Sequence, residues 1–142
     1  MSKLTFLEAD RPLVKSFSRD PEGNLVKSSY PNAYEFTSHD FEINTISEFY
    51  DALTLGASRG WCLLKGNTTR PLVRERRAGS TQAATPTWWA CLDVDRSPPG
   101  VSLSDVCELI GLRNFSHIIQ HSASAGLVPE RGAIGHIFLM LS

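Results

Sequence analysis

Two aspartates, Asp93 and Asp95, lie two residues apart at the end of a strand-like run that covers residues 87–95. Side chains two apart on a strand share one face, so the two carboxylates are predicted to project side by side. Paired carboxylates bind hard divalent cations such as Mg²⁺ or Mn²⁺, which steer phosphate chemistry on nucleotides. Aspartate also begins ordinary turns, and residues 96–100 are a strong turn signal. The pair therefore indicates a metal site only if other parts of the chain agree.

The chain also carries a dense basic cluster. Its members are Arg70, Arg74, Arg76 and Arg77, interrupted by Glu75, with Lys65 just upstream. Clustered cationic groups suit the phosphates of a nucleotide or a nucleic acid. The alternative is a solvated loop whose arginines face water. Charge alone does not decide between these two interpretations.

Composition narrows the class of protein. The chain has 142 residues and a formal net charge of −1, which suits one domain with a real core. It contains no apolar run long enough to span a membrane and no recognisable signal peptide, so we expect a cytoplasmic protein without a membrane partner. The three cysteines, Cys62, Cys91 and Cys107, are widely spaced in apolar stretches, so we expect them to be reduced and buried.

The elements that must position these residues are a mixture of strands and helices. Residues 20–24 predict the turn of a hairpin. A capping box at Thr45 and apolar residues at helical spacing as far as Gly60 predict the first helix. Ser102 begins a second helix, and the last strand, 133–141, is strongly apolar. This order predicts the α+β class, with a mixed, mainly antiparallel sheet and helices on one face.

The sequence also predicts where individual strands and one turn lie and which aromatic residue is buried. We expect residues 33–36 and 40–43 to form separate strands, with His39 in a polar turn between them. Residues 61–65 are expected to form a buried strand. Trp88 is expected in the core, on the apolar face opposite the two aspartates.

Four pieces of sequence occur in one order between residues 61 and 141. They are Cys62-Leu63-Leu64-Lys65-Gly66, the basic turn Glu75-Arg76-Arg77-Ala78-Gly79-Ser80-Thr81, the Asp-x-Asp strand, and Ser122-Ala123-Ser124-Ala125-Gly126 followed by Gly135-His136-Ile137-Phe138-Leu139. Together they resemble the archaeo-eukaryotic primase superfamily, in its phage and plasmid primase-polymerase branch. Two features depart from that pattern. Ile134 lies where the second motif usually has a serine, and the third carboxylate motif does not occur in the sequence.

The resemblance implies a primase-like, RRM-like catalytic core, with residues 1–142 as a single domain. A strand as apolar as the last one is usually central and covered by further structure, so we expect an N-terminal fragment of a longer catalytic core. The implied function is that of a DNA primase or primase-polymerase, which carries out metal-dependent, template-directed nucleotidyl transfer in phage or plasmid replication. The implied cofactor is Mg²⁺ or Mn²⁺. The implied partners are a DNA template, nucleoside triphosphates and a helicase domain or protein.

The resemblance also implies roles for individual residues. Asp93 and Asp95 would hold the metal and, with His136, form the catalytic group, so His136 must face the same cleft. The residues implied in nucleotide or nucleic-acid binding are Lys65, Arg74, Arg76, Arg77, Ser122, Ser124 and His136. On sequence alone His136 fits a core histidine equally well, because its strand neighbours are apolar. Two other functions stay open: a non-catalytic nucleic-acid-binding module with an incomplete active site, and a metal-dependent phosphodiesterase or nuclease.

Overall fold

The structure, a computed structural model, describes residues 2–30, 32–82 and 88–141. Within them the strands are, in chain order, β1 (Ser2–Glu8), β2 (Ser16–Arg19), β3 (Leu25–Ser28), β4 (Thr37–Ile43), β5 (Cys62–Leu64), β6 (Asn67–Thr68), β7 (Thr81–Gln82), β8 (Trp89–Val94), β9 (His117–His121) and β10 (Gly135–Met140). The α-helices are α1 (Ile46–Arg59) and α2 (Leu103–Leu109). The predicted α+β class is confirmed, but the strands are divided among several sheets instead of one.

The chain forms two compact units. The first unit contains Met1–Lys15 and Ser28–Trp88, and the second unit contains Ser16–Lys27 and Trp89–Ser142. The predicted hairpin about residues 20–24 is present as the pair β2-β3. In the described part of the chain, no helix has both the length and the apolarity needed to cross a membrane.

The first unit is built on a three-stranded sheet in the order β4-β1-β5. Neighbouring residues Phe6 and Leu7 of the central β1 point to opposite faces, yet both are almost fully buried. α1 covers the Phe6 face so closely that a Cβ on Gly56 would collide with the Phe6 ring. On the other face Leu7 packs with Leu72 and Phe36. Both faces of β1 therefore contribute to a core.

Helix α1 begins and ends where the sequence predicts. Thr45 Oγ1 accepts a hydrogen bond from the Glu48 N–H at 3.1 Å, and the Glu48 carboxylate accepts one from the Thr45 N–H at 3.2 Å. At the other end Gly60 adopts a left-handed conformation with φ of 69°, and its N–H donates to the Ala57 carbonyl at 3.1 Å. Both caps use residues that are close in sequence, so the pattern alone identifies them.

The second unit is built on a three-stranded sheet in the order β8-β10-β9, with the apolar last strand in the centre as expected. Helix α2 packs on one face of β10, where Leu103 is buried. A Cβ on Gly135 would approach the Leu103 Cδ1 to 2.8 Å. Ile137, on the same face, has no exposed surface. Alternation then puts His136 and Phe138 on the face opposite α2.

The predicted turn at His39 is wrong, because β4 runs unbroken through Thr37-Ser38-His39. The Ser38 hydroxyl accepts a hydrogen bond from the Leu72 N–H at 2.9 Å, and His39 Nε2 lies 2.7 Å from Glu8 Oε2. Distant residues thus satisfy these polar groups. Local composition does not reveal such partners, so the segment resembles a turn.

Three burial predictions are also wrong, in whole or in part. β5 is an edge strand of its sheet rather than a buried one, and Cys62 within it is exposed. Trp88 is 52% exposed, whereas the adjacent Trp89 is 6% exposed. Because β8 begins only at Trp89, the alternation of the strand does not set the direction of Trp88. Of the cysteines, only Cys107 is buried, and desolvation raises the pKa of its thiol.

The cap of α1 can be tested with two substitutions that remove the same atoms from one helix. Thr45→Ala removes the capping hydroxyl and is expected to lower the free energy of unfolding by about 1 kcal/mol. Thr54→Ala, at an exposed interior position of α1, is expected to be neutral or slightly stabilising because alanine has the better helix propensity. Urea unfolding followed by circular dichroism measures both. Equal effects would contradict the capping role.

Candidate functional site

Asp93, His136 and Gln120 form one row across the β8-β10-β9 sheet, here called the His136 row. The backbone register sets His136 opposite Asp93 on β8 and opposite Gln120 on β9. Directly opposed residues on antiparallel strands share a face. His136 Nε2 lies 3.4 Å from Asp93 Oδ1, and His136 Nδ1 lies 3.3 Å from Gln120 Oε1. The predicted approach of His136 to the Asp93 carboxylate is found, whereas its predicted approach to the Asp95 carboxylate stays a prediction.

The His136 row lies at the exposed end of its sheet face. The side chains of His136 and Asp93 are 34% and 52% exposed. Farther along the same face, Phe138 and Trp89 are buried. α2 packs on the opposite face, so His136 does not lie on the helix-covered side. A dissolved ligand therefore has access to the row from one direction.

The His136 imidazole lies between two oxygen acceptors. A ring nitrogen donates only when it carries a proton, and a neutral imidazole has one proton for its two nitrogens. With the Gln120 amide oxygen at Nδ1 and the Asp93 carboxylate at Nε2, the neutral ring can donate to only one of them. The protonated ring donates to both. The two neighbours thus hold the imidazole in an orientation from which Nε2–H can donate to an anionic oxygen.

Asp95 lies beyond the end of β8, which stops at Val94. Its loop is tied to the segment before β10: the Ser97 N–H donates to the Arg131 carbonyl at 3.1 Å, and the Ala133 N–H donates to Ser97 Oγ at 2.7 Å. The Arg131 guanidinium also approaches the Asp95 carbonyl at 3.5 Å. Strand alternation therefore no longer sets the direction of the Asp95 carboxylate.

Asp93 and Asp95 suit a cation site that water and substrate complete better than a site built from protein ligands alone. Across residues 2–30, 32–82 and 88–141, no group of three or more His, Cys, Asp or Glu side chains is placed to hold a metal ion. Mg²⁺ does not require such a group, since it keeps several waters and is often held by one or two carboxylates and substrate phosphates. The half-exposed Asp93, with Asp95 two residues later, has the oxygen donors for this kind of site.

Ser122 and Ser124 form a turn directly after β9. Their hydroxyl oxygens are 3.2 Å apart, and the Ser122 N–H donates to the Ile134 carbonyl at 3.0 Å. The structure thus holds these serines beside the chain that leads into β10. No hydrogen bond joins either hydroxyl to His136 within the described residues.

The arginines of the basic cluster differ in their partners. Arg70 lies 2.6 Å from the Glu75 carboxylate, and its hydrogen bond lowers the pKa of that carboxyl. Arg77 lies over an aromatic ring, 5.7 Å from the centroid. Arg74 and Arg76 are exposed, and within the described residues their guanidinium groups have no hydrogen bond or ion pair. The cluster therefore contains two cations that no described residue pairs with and that can bind an anion.

Hydrogen bonds attach this arginine loop, residues 69–80, to the start of β4. Phe36 and Glu75 exchange backbone hydrogen bonds of 2.8 and 3.1 Å, and the Arg74 N–H donates to Thr37 Oγ1 at 3.3 Å. Arg74 has a φ of 50°, the one positive value outside glycine among the described residues. Such a conformation costs roughly 1–3 kcal/mol. The attachments to β4 hold the loop in this strained conformation. The sequence leaves a short strand or an ordered loop open for this segment, and an ordered loop is found.

No protein-family model matches the chain. A search of curated proteins and a search of solved structures also found no match. The resemblance to primases therefore stays a prediction, and the function has to be inferred from the geometry of the residues themselves.

Sequence reasoning misses two residues that the fold brings to functional positions. Gln120 reaches His136 only through the register of β9 against β10. His39 stacks on Trp61, with ring centroids 4.0 Å apart and planes at 6°. Neither residue belongs to a motif, and a polar residue inside a strand is the only sequence sign of either.

The loop that carries Asp95 can be tested through two glycines with positive φ, Gly132 at 64° and Gly126 at 76°. A Cβ at Gly132 would collide with Ser97 and approach the Pro98 carbonyl to 2.6 Å, whereas nothing lies within 4 Å of a Cβ at Gly126. Gly132 combines its positive φ with a ψ of −139°, a region that is strained for any residue with a Cβ, so backbone strain adds to the collision in its alanine variant. Gly132→Ala is expected to lose about 1–3 kcal/mol more stability. Urea unfolding followed by tryptophan fluorescence compares them, and equal losses would contradict the close packing at Ser97.

Proposed function

We propose that this chain carries residues of a primase-polymerase nucleotidyl-transfer site that acts in phage or plasmid replication. The observation that supports the proposal is the 3.4 Å approach of His136 Nε2 to Asp93 Oδ1 on adjacent, paired strands. In the superfamily the two corresponding motifs contribute to one site. The ligands of the proposed site are a nucleoside triphosphate and Mg²⁺ or Mn²⁺.

Each residue of the proposed site has a separate task. The carboxylates of Asp93 and Asp95 supply hard oxygen ligands, and Asp93 is accessible at the exposed end of its sheet face. The protonated His136 ring donates from Nε2 to a phosphate oxygen, while Nδ1–H donates to the Gln120 amide oxygen, which fixes the ring orientation. A bound Mg²⁺ or Mn²⁺ would neutralise the charge that develops on the attacking and leaving oxygens.

In the same proposal, the arginine loop is the part of the protein that binds nucleic acid. Arg74 and Arg76 are exposed and have no partner within the described residues, so they can bind the phosphates of a template. Arg77 and Lys65, which are also exposed, add positive charge to the same unit. On this proposal the partners are a DNA template, nucleoside triphosphates and a helicase, and the protein works in the cytoplasm.

A second candidate function is a non-catalytic nucleic-acid-binding module. It is favoured by one observation: Arg74 and Arg76 are exposed, and guanidinium groups bind phosphate without a metal. In this case the His136 row would bind phosphate without catalysing transfer, and the arginine loop would supply most of the affinity. The two functions differ in whether divalent metal strengthens the binding of a nucleoside triphosphate.

The metal site is tested with the double variant Asp93→Asn, Asp95→Asn, which keeps side-chain size and removes both charges. The binding of Mn²⁺ with ATP, measured by calorimetry, is expected to weaken by about tenfold or more, since charged ligands are lost. The matched control is Asp51→Asn with Glu108→Gln, two exposed acids on helices. Equal affinities for the two double variants would refute the site. A metal-independent ATP affinity in the native chain would favour the non-catalytic module.

The nucleic-acid role of the arginine loop is tested by salt dependence. Replacing Arg74, Arg76 and Arg77 by glutamine should weaken the binding of single-stranded DNA. It should also flatten the slope of log affinity against log salt by about 2, because each lost phosphate contact contributes about 0.7. The control replaces the exposed Lys15, Arg59 and Arg113 by glutamine, with the same loss of net charge. Fluorescence anisotropy at several salt concentrations measures both, and identical slopes would mean that the loop does not contact phosphates.

A further inference from the structure

The first unit contains a cavity of about 870 Å³ beside the start of β4. We call it the arginine pocket; its wall includes Arg74, Arg76, Tyr34, Glu35 and Glu8. Pockets that hold small molecules usually measure roughly 300–1,000 Å³. The volume is therefore sufficient for a ligand of moderate size, and the wall is rich in charged groups.

Half of the six charged residues in the pocket wall already have a partner. The Arg11 guanidinium donates two hydrogen bonds, of 2.8 and 3.1 Å, to the Asp10 carboxylate, and they lower the pKa of that carboxyl. Glu8 Oε2 lies 2.7 Å from His39 Nε2. The charges of Arg11 and Asp10 cancel, and the Glu8 carboxylate is engaged with the His39 ring, so these groups do not define the ligand.

The charged groups of the wall without a partner within the described residues are Arg74, Arg76 and Glu35. Among these three residues, two guanidinium groups two residues apart outnumber a single carboxylate. Guanidinium groups bind phosphate through paired N–H donors better than any other side chain. Because hydrogen bonds to β4 already fix the loop, little ordering is needed when an anion binds.

The remaining wall residues suit an organic group attached to the phosphate. The Tyr34 ring is 66% exposed, which leaves its surface free to pack against a flat base. Glu35 offers acceptors for hydroxyl or amino donors. A simple inorganic anion would gain nothing from either residue, whereas a nucleoside phosphate has a base, sugar hydroxyls and a phosphate.

We propose that the arginine pocket binds a nucleoside phosphate. Its phosphate contacts Arg74 and Arg76, its base packs on Tyr34, and Glu35 accepts hydrogen bonds from the sugar or the base. This inference does not rest on the proposed metal site, because all of these residues belong to the first unit and none to the His136 row. It shares Arg74 and Arg76 with the proposed template contacts.

The test is calorimetric binding of AMP to the full chain in buffer with EDTA, so that no divalent metal takes part. Arg76→Gln and Arg74→Gly should each weaken AMP binding by about tenfold or more. Glycine is chosen at position 74 because it adopts the positive φ without strain. The control is Arg59→Gln, an exposed arginine of α1 outside the pocket wall, which should bind AMP like the native chain.

Ligand comparisons test the organic part of the proposal. AMP should bind more tightly than adenosine, which lacks the phosphate, and more tightly than pyrophosphate, which lacks the nucleoside. Tyr34→Ala should remove the advantage over pyrophosphate. Equal binding of pyrophosphate and AMP would overturn the nucleoside assignment, and undetectable binding of AMP at millimolar concentration would overturn the site. The double variant Asp93→Asn, Asp95→Asn should keep its AMP affinity in EDTA, which separates this site from the proposed metal site.

Discussion

The hydrogen-bond register of β10 between β8 and β9 sets which side chains can act together in the second unit. A shift of one residue would turn His136 to the α2 face and bring an apolar side chain opposite Asp93. Close packing opposes such a shift. Gly135 lies so near the Gln120 carbonyl and the Leu103 side chain that no Cβ fits there. The contact between His136 and Asp93 is therefore a consequence of how the apolar strand packs, and not of any attraction between the two side chains, which are partly exposed and only weakly coupled.

In the first unit, backbone hydrogen bonds determine which side chains are presented together. The arginine loop contains a strained residue, Arg74, and its conformation persists because Phe36 and Thr37 bind its backbone. Within the loop held in this way, the arginines differ in their partners. Arg70 is used to neutralise Glu75, whereas Arg74 and Arg76 are left exposed without a partner within the described residues. A chain with a formal net charge of only −1 can thus present a local concentration of positive charge.

Both proposed sites take phosphate-bearing ligands, but they would bind them by different means. The His136 row offers carboxylate oxygens, which repel phosphate unless a cation lies between them, so its affinity should depend on divalent metal. The arginine pocket offers guanidinium groups, which attract phosphate directly, so its affinity should depend on ionic strength. Affinity measured with and without divalent metal, and at several salt concentrations, therefore distinguishes the two sites. Since no relative with a known function was found, this difference in physical chemistry is the most direct means of assigning roles to the two units.

The sequence by itself determined the features that depend on near neighbours. The capping box at Thr45, the left-handed Gly60 and the apolar central strand could all be predicted, because their signals lie within a few residues. The approach of His136 to Asp93 was also predicted, although from a resemblance and not from local chemistry. Only the tertiary structure decided that Gln120 completes the row, that β4 continues through His39, and which arginines remain free. The contacts of Gln120 and His39 join residues far apart in the chain, and such partners leave no trace in local composition. Arg70 and Glu75 are close in sequence, but their pairing depends on how the loop between them folds.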